Sequence, residues 1–294
     1  MLSWSMVALA VLAGATKGYC GKKTSGAAEH VHDAVYISAV RFGLCALLGG
    51  IIALVQNGAW VFAEVDGVWL AFVSGLAQAV FTTTWLLAVR TGAYIMLDAF
   101  LTAGIWIPTL LCRFLFNEAI LPLQWLGFAI LLCAVLLMCS YNNSIKQKLT
   151  LKSVGLLLIC TASSGIMDFT QKVLNYQYPQ TPVAAFQFYA YVFAMLILAV
   201  VVLFAKPAKE KPVSVKKFGW PLVIMAICLF INTYCKQLAA AWIPAVAMYS
   251  VCQGGGLILS VLMAAVLFHE PLKKRSVIGV VLIFTGMRLI TFAG

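Results

Sequence analysis

The sequence predicts an all-α polytopic membrane protein, with ten transmembrane helices arranged as two inverted five-helix repeats. Three observations carry this. Of the 294 residues, 63% are hydrophobic and only 10% charged, whereas soluble domains carry about 25% charged residues. So few charges cannot cover a water-facing surface of this size. The apolar residues gather into ten runs, each close to the roughly 20 residues that a helix needs to cross a bilayer. Finally, one phrase occurs twice: Phe116-Asn117-Glu118 and Phe268-His269-Glu270 each close an apolar run. Each glutamate is followed nine positions later by a glycine, Gly127 or Gly279. Both matched pairs lie 152 positions apart, the mark of an internal duplication.

The first five runs are 2–20, 34–56, 67–89, 92–115 and 119–140. The first has no basic leader and no small-residue cleavage site, so it reads as a retained span rather than a signal peptide. The second contains Arg41. The third holds a polar stretch, Gln78 and Thr82-Thr83-Thr84-Trp85, and passes through Arg90-Thr91-Gly92 into the fourth. The fourth carries Tyr94, Asp98 and Pro108, which should kink it. The fifth contains Gly127.

The link from Tyr141 to Thr150 separates a first repeat, 1–140, from a second, 151–294. The second repeat holds runs 151–173, 182–205, 217–239, 243–268 and 273–292. Asp168 and Lys172 lie in the sixth run. Asn232-Thr233-Tyr234 and Lys236 lie in the eighth, and Trp242-Ile243-Pro244 separates it from the ninth. Gly254-Gly255-Gly256 in the ninth permits close helix approach. Links this short force neighbouring helices to run antiparallel.

Inversion follows from counting. Five crossings are odd, so the second repeat must traverse the membrane in the opposite sense to the first. Inverted repeats belong to secondary transporters, whose solute site lies near the midplane where the halves meet. Of the 20 Lys and Arg residues, 14 fall in links after odd-numbered spans or at the span edges bordering them, and only Arg113 lies at the edge of a link after an even-numbered one. The positive-inside rule then places the odd links in the cytoplasm and both termini outside.

Other function classes find little support. The net charge of +11 sits in short links and forms no basic face for nucleic acid. Nine cysteines are scattered without metal-ligand spacing and read as small buried hydrophobes. His30-Val31-His32 with Asp33 is a weak metal signal. No cluster of catalytic residues and no phosphate-cradling loop appears, so neither an enzyme nor an ATP-driven motor is expected, and no cofactor is implied.

The repeated unit, an apolar helix ending in Phe-x-Glu, a short link and a helix with an early glycine, resembles the drug/metabolite transporter superfamily. Its ten-span branch with two EamA-type repeats is the most similar. Gly14 to Lys22 and Gly165 to Lys172 look like the repeat opening of that family. Ala39-Val40-Arg41-Phe42 resembles its second-span motif. The resemblance covers nearly the whole chain. It implies a carrier of small metabolites in the plasma or inner membrane, and it implies cytoplasmic termini, against the charge bias.

Ionisable residues inside spans are functional candidates by default. Helical rise places Lys17 and Asp98 nearer one membrane face, and Asp168 and Lys236 nearer the other. The expectation is one ion pair at each mouth of a cavity, Lys17 with Asp98 and Asp168 with Lys236. Each would break as the other closes; the plainer reading is that they only tie helices together. Arg41, Lys172 and Arg288 read as structural, and Glu118 and Glu270 as helix terminators that tie links.

Polar groups in lipid need partners, so Gln78, Asn232, Tyr234, Tyr249 and Gln253 are expected to face a wet chamber. With Trp85, Tyr94, Lys17 and Asp98 they would give an aromatic-walled pocket with few polar groups. Asp98 is the first choice for sensing a proton or cation, because burial of a carboxyl favours its neutral form. The composite reading is an alternating-access carrier of a small polar organic solute, either amino-acid-like or an organic cation. Its partners are the solute, the lipid bilayer and a coupling proton or cation. A channel and a lipid flippase are the rival readings.

Overall fold

The computed structural model describes residues 2–25, 31–58, 66–91, 97, 100–102, 104–142, 151–204, 219–267 and 274–292. Tyr94, Asp98 and Glu270 lie outside the described residues. Ten helices follow one another, and no strand occurs among the described residues. They are α1 (Leu2–Ser25), α2 (Val31–Asn57), α3 (Val68–Thr91), α4 (Trp106–Phe116), α5 (Pro122–Asn142), α6 (Leu151–Gln177), α7 (Val183–Phe204), α8 (Gly219–Ala240), α9 (Ala245–Leu267) and α10 (Lys274–Phe292). Six of them, α2, α3 and α6–α9, are long and apolar enough to cross a membrane.

The outer surface is that of a protein in lipid. Leu47, Val55, Leu203, Phe204 and Val281 are all exposed, whereas Arg41, Gln78, Asp168, Gln171, Lys172 and Lys236 are buried. Water would make this distribution costly; hydrocarbon makes it natural, because lipid solvates the apolar side chains and every polar group must be satisfied within the protein.

The two halves of the chain do not form separate bodies. The most extensive packing joins α1 to α8, α2 to α7, α5 to α10 and α3 to α6. Lesser contacts join α3 to α7, α2 to α8, α1 to α9 and α4 to α6. Exchanging each helix for the one five places along maps this set of pairs onto itself. The core therefore lies between the halves. One buried cluster mixes Val7 of α1, Phe128 of α5, Tyr249 of α9 and Ile290 of α10.

Small residues set the closest approaches, as expected where packing rather than water exclusion drives association. Gly127 of α5 meets Gly286 of α10; a Cβ on Gly127 would sit 2.8 Å from the Gly286 carbonyl oxygen. The glycine that repeats Gly127 in sequence, Gly279, is not its contact partner. Gly165 of α6 packs against Ile107 within α4 and Gly104 just before it.

The fourth span is interrupted near Pro108, where the sequence places a kink. The break falls at Gly104–Ile105, before α4, one turn ahead of Pro108. Proline has no N–H to offer the carbonyl four residues back. The Gly104 carbonyl instead accepts from Ile107 N at 3.1 Å, a tighter turn. The Phe100 carbonyl accepts from Thr161 Oγ1 of α6 at 3.2 Å. Pro108 thus acts on the preceding turn and leaves its own helix regular.

Candidate functional site

Asp168 and Lys172 lie one turn apart on α6, so both point to the same side, toward α8 and α9. Lys236 of α8 forms an ion pair with Asp168 Oδ1, and both side chains are at most 5% exposed. Gln253 Nε2 donates to Asp168 Oδ2 at 3.4 Å, and the Tyr249 hydroxyl donates to the Asp168 carbonyl at 2.5 Å. The Lys236 ammonium lies 5.6 Å from the Tyr249 ring centre. A buried pair is tolerable only when further hydrogen bonds satisfy its remaining valences, and these neighbours supply them.

One turn along α6, Lys172 Nζ reaches the carbonyls of Ala240 at 3.0 Å and Ile243 at 3.1 Å. It also pairs with Glu118 Oε1 at 3.2 Å. Ala240 is the last residue of α8, where the helix dipole favours a cation. Glu118 Oε2 accepts from Ala245 N, the first residue of α9, at 3.1 Å; an N-terminus favours an anion. One ion pair therefore clamps both sides of the α8–α9 link. Sequence reading takes Glu118 for a tie on a link, but the link it holds belongs to the other half of the chain.

A cavity of about 90 Å³ lies between α1, α3, α6, α8 and α9. Lys17, Trp85, Asn232, Gln253 and Lys236 all line it. Asp168 stands behind this wall, held by Lys236 and Gln253. Lys17 Nζ is 5.8 Å from the Phe81 ring centre. Asn232 Nδ2 donates to the Ala10 carbonyl at 2.6 Å and fills the space that Gly14 leaves open. Trp85 lies against Gly21, where a Cβ would collide with the indole. The volume is well below the roughly 300 Å³ of the smallest ordinary ligand pockets.

Three expected pocket residues stand elsewhere. Tyr249 is fully buried and serves Asp168 without lining the cavity. Tyr234 bonds to Gln56 at 3.3 Å and lines an apolar groove with Met6, Leu9 and Leu48. Its helix face turns away from the cavity, because Asn232 and Lys236 occupy that side. Gln78 reaches Ser74 at 3.4 Å and its Oε1 is unpaired; it too is absent from the wall. Conversely, Ser164 and Ser260 line the cavity without being singled out by the sequence, and Gly256, which the sequence assigns to helix packing, lines it too. Gly254 packs on Met287 and Gly255 on Val11, while a Cβ on Gly256 would meet nothing within 4 Å.

Residues 151–292 match the EamA-like transporter family, a stretch that coincides with α6–α10. No curated protein matches the chain. A solved structure described only as the crystal structure of a protein shares the fold, with a TM-score of 0.72 over 97% of each chain at 16% identity. The long apolar helices support a multi-pass membrane protein, and the transporter-family match lies in its second half.

Proposed function

We propose that the whole chain is a secondary carrier of a small polar organic solute, an amino-acid-like molecule or an organic cation. It spans the membrane ten times as two inverted EamA-like modules, 1–140 and 151–294, and works by alternating access. The observation that supports this best is a polar cavity between the two halves, backed by the Lys236–Asp168 pair. In this reading Lys17, Trp85, Asn232 and Gln253 contact the solute, and the cavity widens from its present 90 Å³ when the helices around it separate. Asp168 with Lys236 closes one mouth. Lys17 with Asp98 closes the other, and Asp98 exchanges the coupling proton or cation. The membrane is the plasma or inner membrane.

The helix break before α4 favours this reading over a rigid scaffold, because discontinuous helices border the sites of many secondary transporters. One observation favours lipid translocation as a second reading: the apolar groove between α1, α2 and α8, of about 440 Å³, suits an acyl chain.

The test is purified protein screened by thermal shift against amino acids, quaternary amines, nucleosides and sugar phosphates, followed by counterflow in liposomes. A bound solute raises apparent stability in proportion to the logarithm of its excess. The expected result is a stabilising solute that also shows saturable counterflow, lost in Asp98→Asn with folding intact. Unitary currents, or movement of labelled lipid without any solute counterflow, would overturn the proposal.

A further inference from the structure

A groove of about 440 Å³ runs between α1, α2 and α8. Met6 and Leu9 of α1, Leu48 and Ile52 of α2, and α8 from Ile227 to Leu238 bound it. Its described lining is apolar apart from Tyr234 and the Cys235 thiol. Leu9 and Ile227 are exposed, as are Leu12 and Ile51 beside them. The groove is therefore continuous with the surface that these membrane-crossing helices turn to hydrocarbon.

Its length matches one leaflet. From Ile227 to Leu238 the α8 wall rises about 16 Å, and the hydrocarbon of one leaflet is about 15 Å deep, half of the bilayer core. Leu238 lies in the last turn of α8 and Ile52 near the end of α2, whereas Ile227 and Leu48 lie deeper. Polar groups stand at the shallow end. There the Tyr234 hydroxyl donates to Gln56 Oε1 at 3.3 Å, one residue before α2 ends. Tyrosine favours the membrane interface, and the Gln56 amide brings two N–H donors to the same place.

Depth and lining select the occupant. Water needs polar partners to stay in a cavity, and this lining offers almost none. An empty groove would forfeit the dispersion contacts of its walls. Acyl chains are what a bilayer supplies at this depth. Lipid tails are as apolar as leucine, so transfer from the bilayer drives little; contact with three helices instead of one flat face provides the preference.

We infer that the groove seats one acyl chain of a bilayer glycerophospholipid, from the leaflet on the side where α8 ends and α9 begins. The Gln56 amide donates to an ester carbonyl at the mouth, and the chain end lies between Ile227 and Leu48. The seated lipid lies behind α1 and α8, whose other faces wall the polar cavity. The site goes beyond the transport proposal and holds whether the cargo is a solute or a lipid.

The experiment places the full chain in phosphatidylcholine nanodiscs doped with a palmitoyl phosphatidylcholine that carries a diazirine. One probe bears it near the ester and a second at the chain end; irradiation, digestion and mass spectrometry locate the cross-links. The expected result is severalfold more labelling in the groove than at Val281, an exposed residue of α10. The near-ester probe should label Ile52 and the Tyr234–Leu238 segment, and the chain-end probe the surroundings of Ile227 and Leu48. Ile227→Trp or Leu48→Trp fills the groove and should remove the enrichment; Val281→Trp should leave it. If one groove variant does not fold, the other and the wild-type depth pattern decide. Labelling of the groove no higher than at Val281, the same residues labelled by both probes, or enrichment that survives both groove variants overturns the inference. No solute enters the assay, so such a failure leaves the carrier proposal standing, and a failure of counterflow leaves this site standing.

Discussion

Lys172 and Glu118 meet at 3.2 Å, and between them they hold the end of one helix and the start of the next. The ammonium caps α8 through the Ala240 carbonyl, and the carboxylate caps α9 through Ala245 N. Removing one charge leaves the other buried alone, which costs about 3–5 kcal/mol. Lys172→Met and Glu118→Gln should each lower thermal stability in detergent markedly. The double variant should be less destabilised than the sum of the two. Additive losses in a double-mutant cycle would show that the two residues act separately.

The Asp168–Lys236 pair yields a second expectation, on function. Asp168→Asn leaves Lys236 without its counter-charge and should reduce both stability and solute counterflow. The exchanged variant, Asp168→Lys with Lys236→Asp, should recover stability in part, because the pair is restored with its polarity reversed. Recovery of counterflow as well would support a gate that needs only attraction between the two helices. An exchanged protein no better than Asp168→Asn in either assay would count against pairing as the source of the effect.

Gly127 and Gly286 fix the α5–α10 seam. A Cβ on Gly127 would lie 2.6 Å from Ile290 Cγ1 and 2.8 Å from the Gly286 carbonyl oxygen. Backbone cannot yield as a side chain can, so Gly127→Ala should destabilise by about 1–3 kcal/mol through overpacking. Gly256→Ala, which meets nothing within 4 Å, is the control, with stability expected to change little. Equal unfolding temperatures for the two variants would refute the packing argument.

Gly21 and Trp85 make a smaller, separable test. The indole occupies the space where a Gly21 side chain would stand, so Gly21→Ala should push Trp85 toward the cavity it lines. The prediction is a weaker apparent solute affinity with modest loss of stability. Gly21→Ala combined with Trp85→Phe should regain stability relative to Gly21→Ala alone, because the smaller ring leaves room for the methyl group. A larger loss in the double variant would rule out the steric account.

The sequence by itself determined that this chain is helical and embedded in a membrane. Apolar runs of bilayer length, with too few charges to cover a water-facing surface, point to lipid, where only helices or closed barrels satisfy the backbone. It also singled out Lys17, Trp85, Asn232, Gln253, Asp168 and Lys236, together with Gln78, Tyr234 and Tyr249, which stand away from the cavity wall, and Tyr94 and Asp98, which lie outside the described residues.

Only the tertiary structure decided which helices share a core. Nothing in the spacing of the repeats announces that α1 packs on α8 or α2 on α7, or that Glu118 of the first half caps a helix of the second. Nor could periodicity tell the cavity face of α8 from its groove face: Asn232 and Tyr234 are two residues apart, yet line different spaces. The physical reason is common to these cases. Burial in lipid specifies that polar groups turn inward, whereas the choice of partner depends on close packing between segments distant in the chain. That packing is settled by the shapes of small residues such as Gly127 and Gly286 rather than by hydropathy.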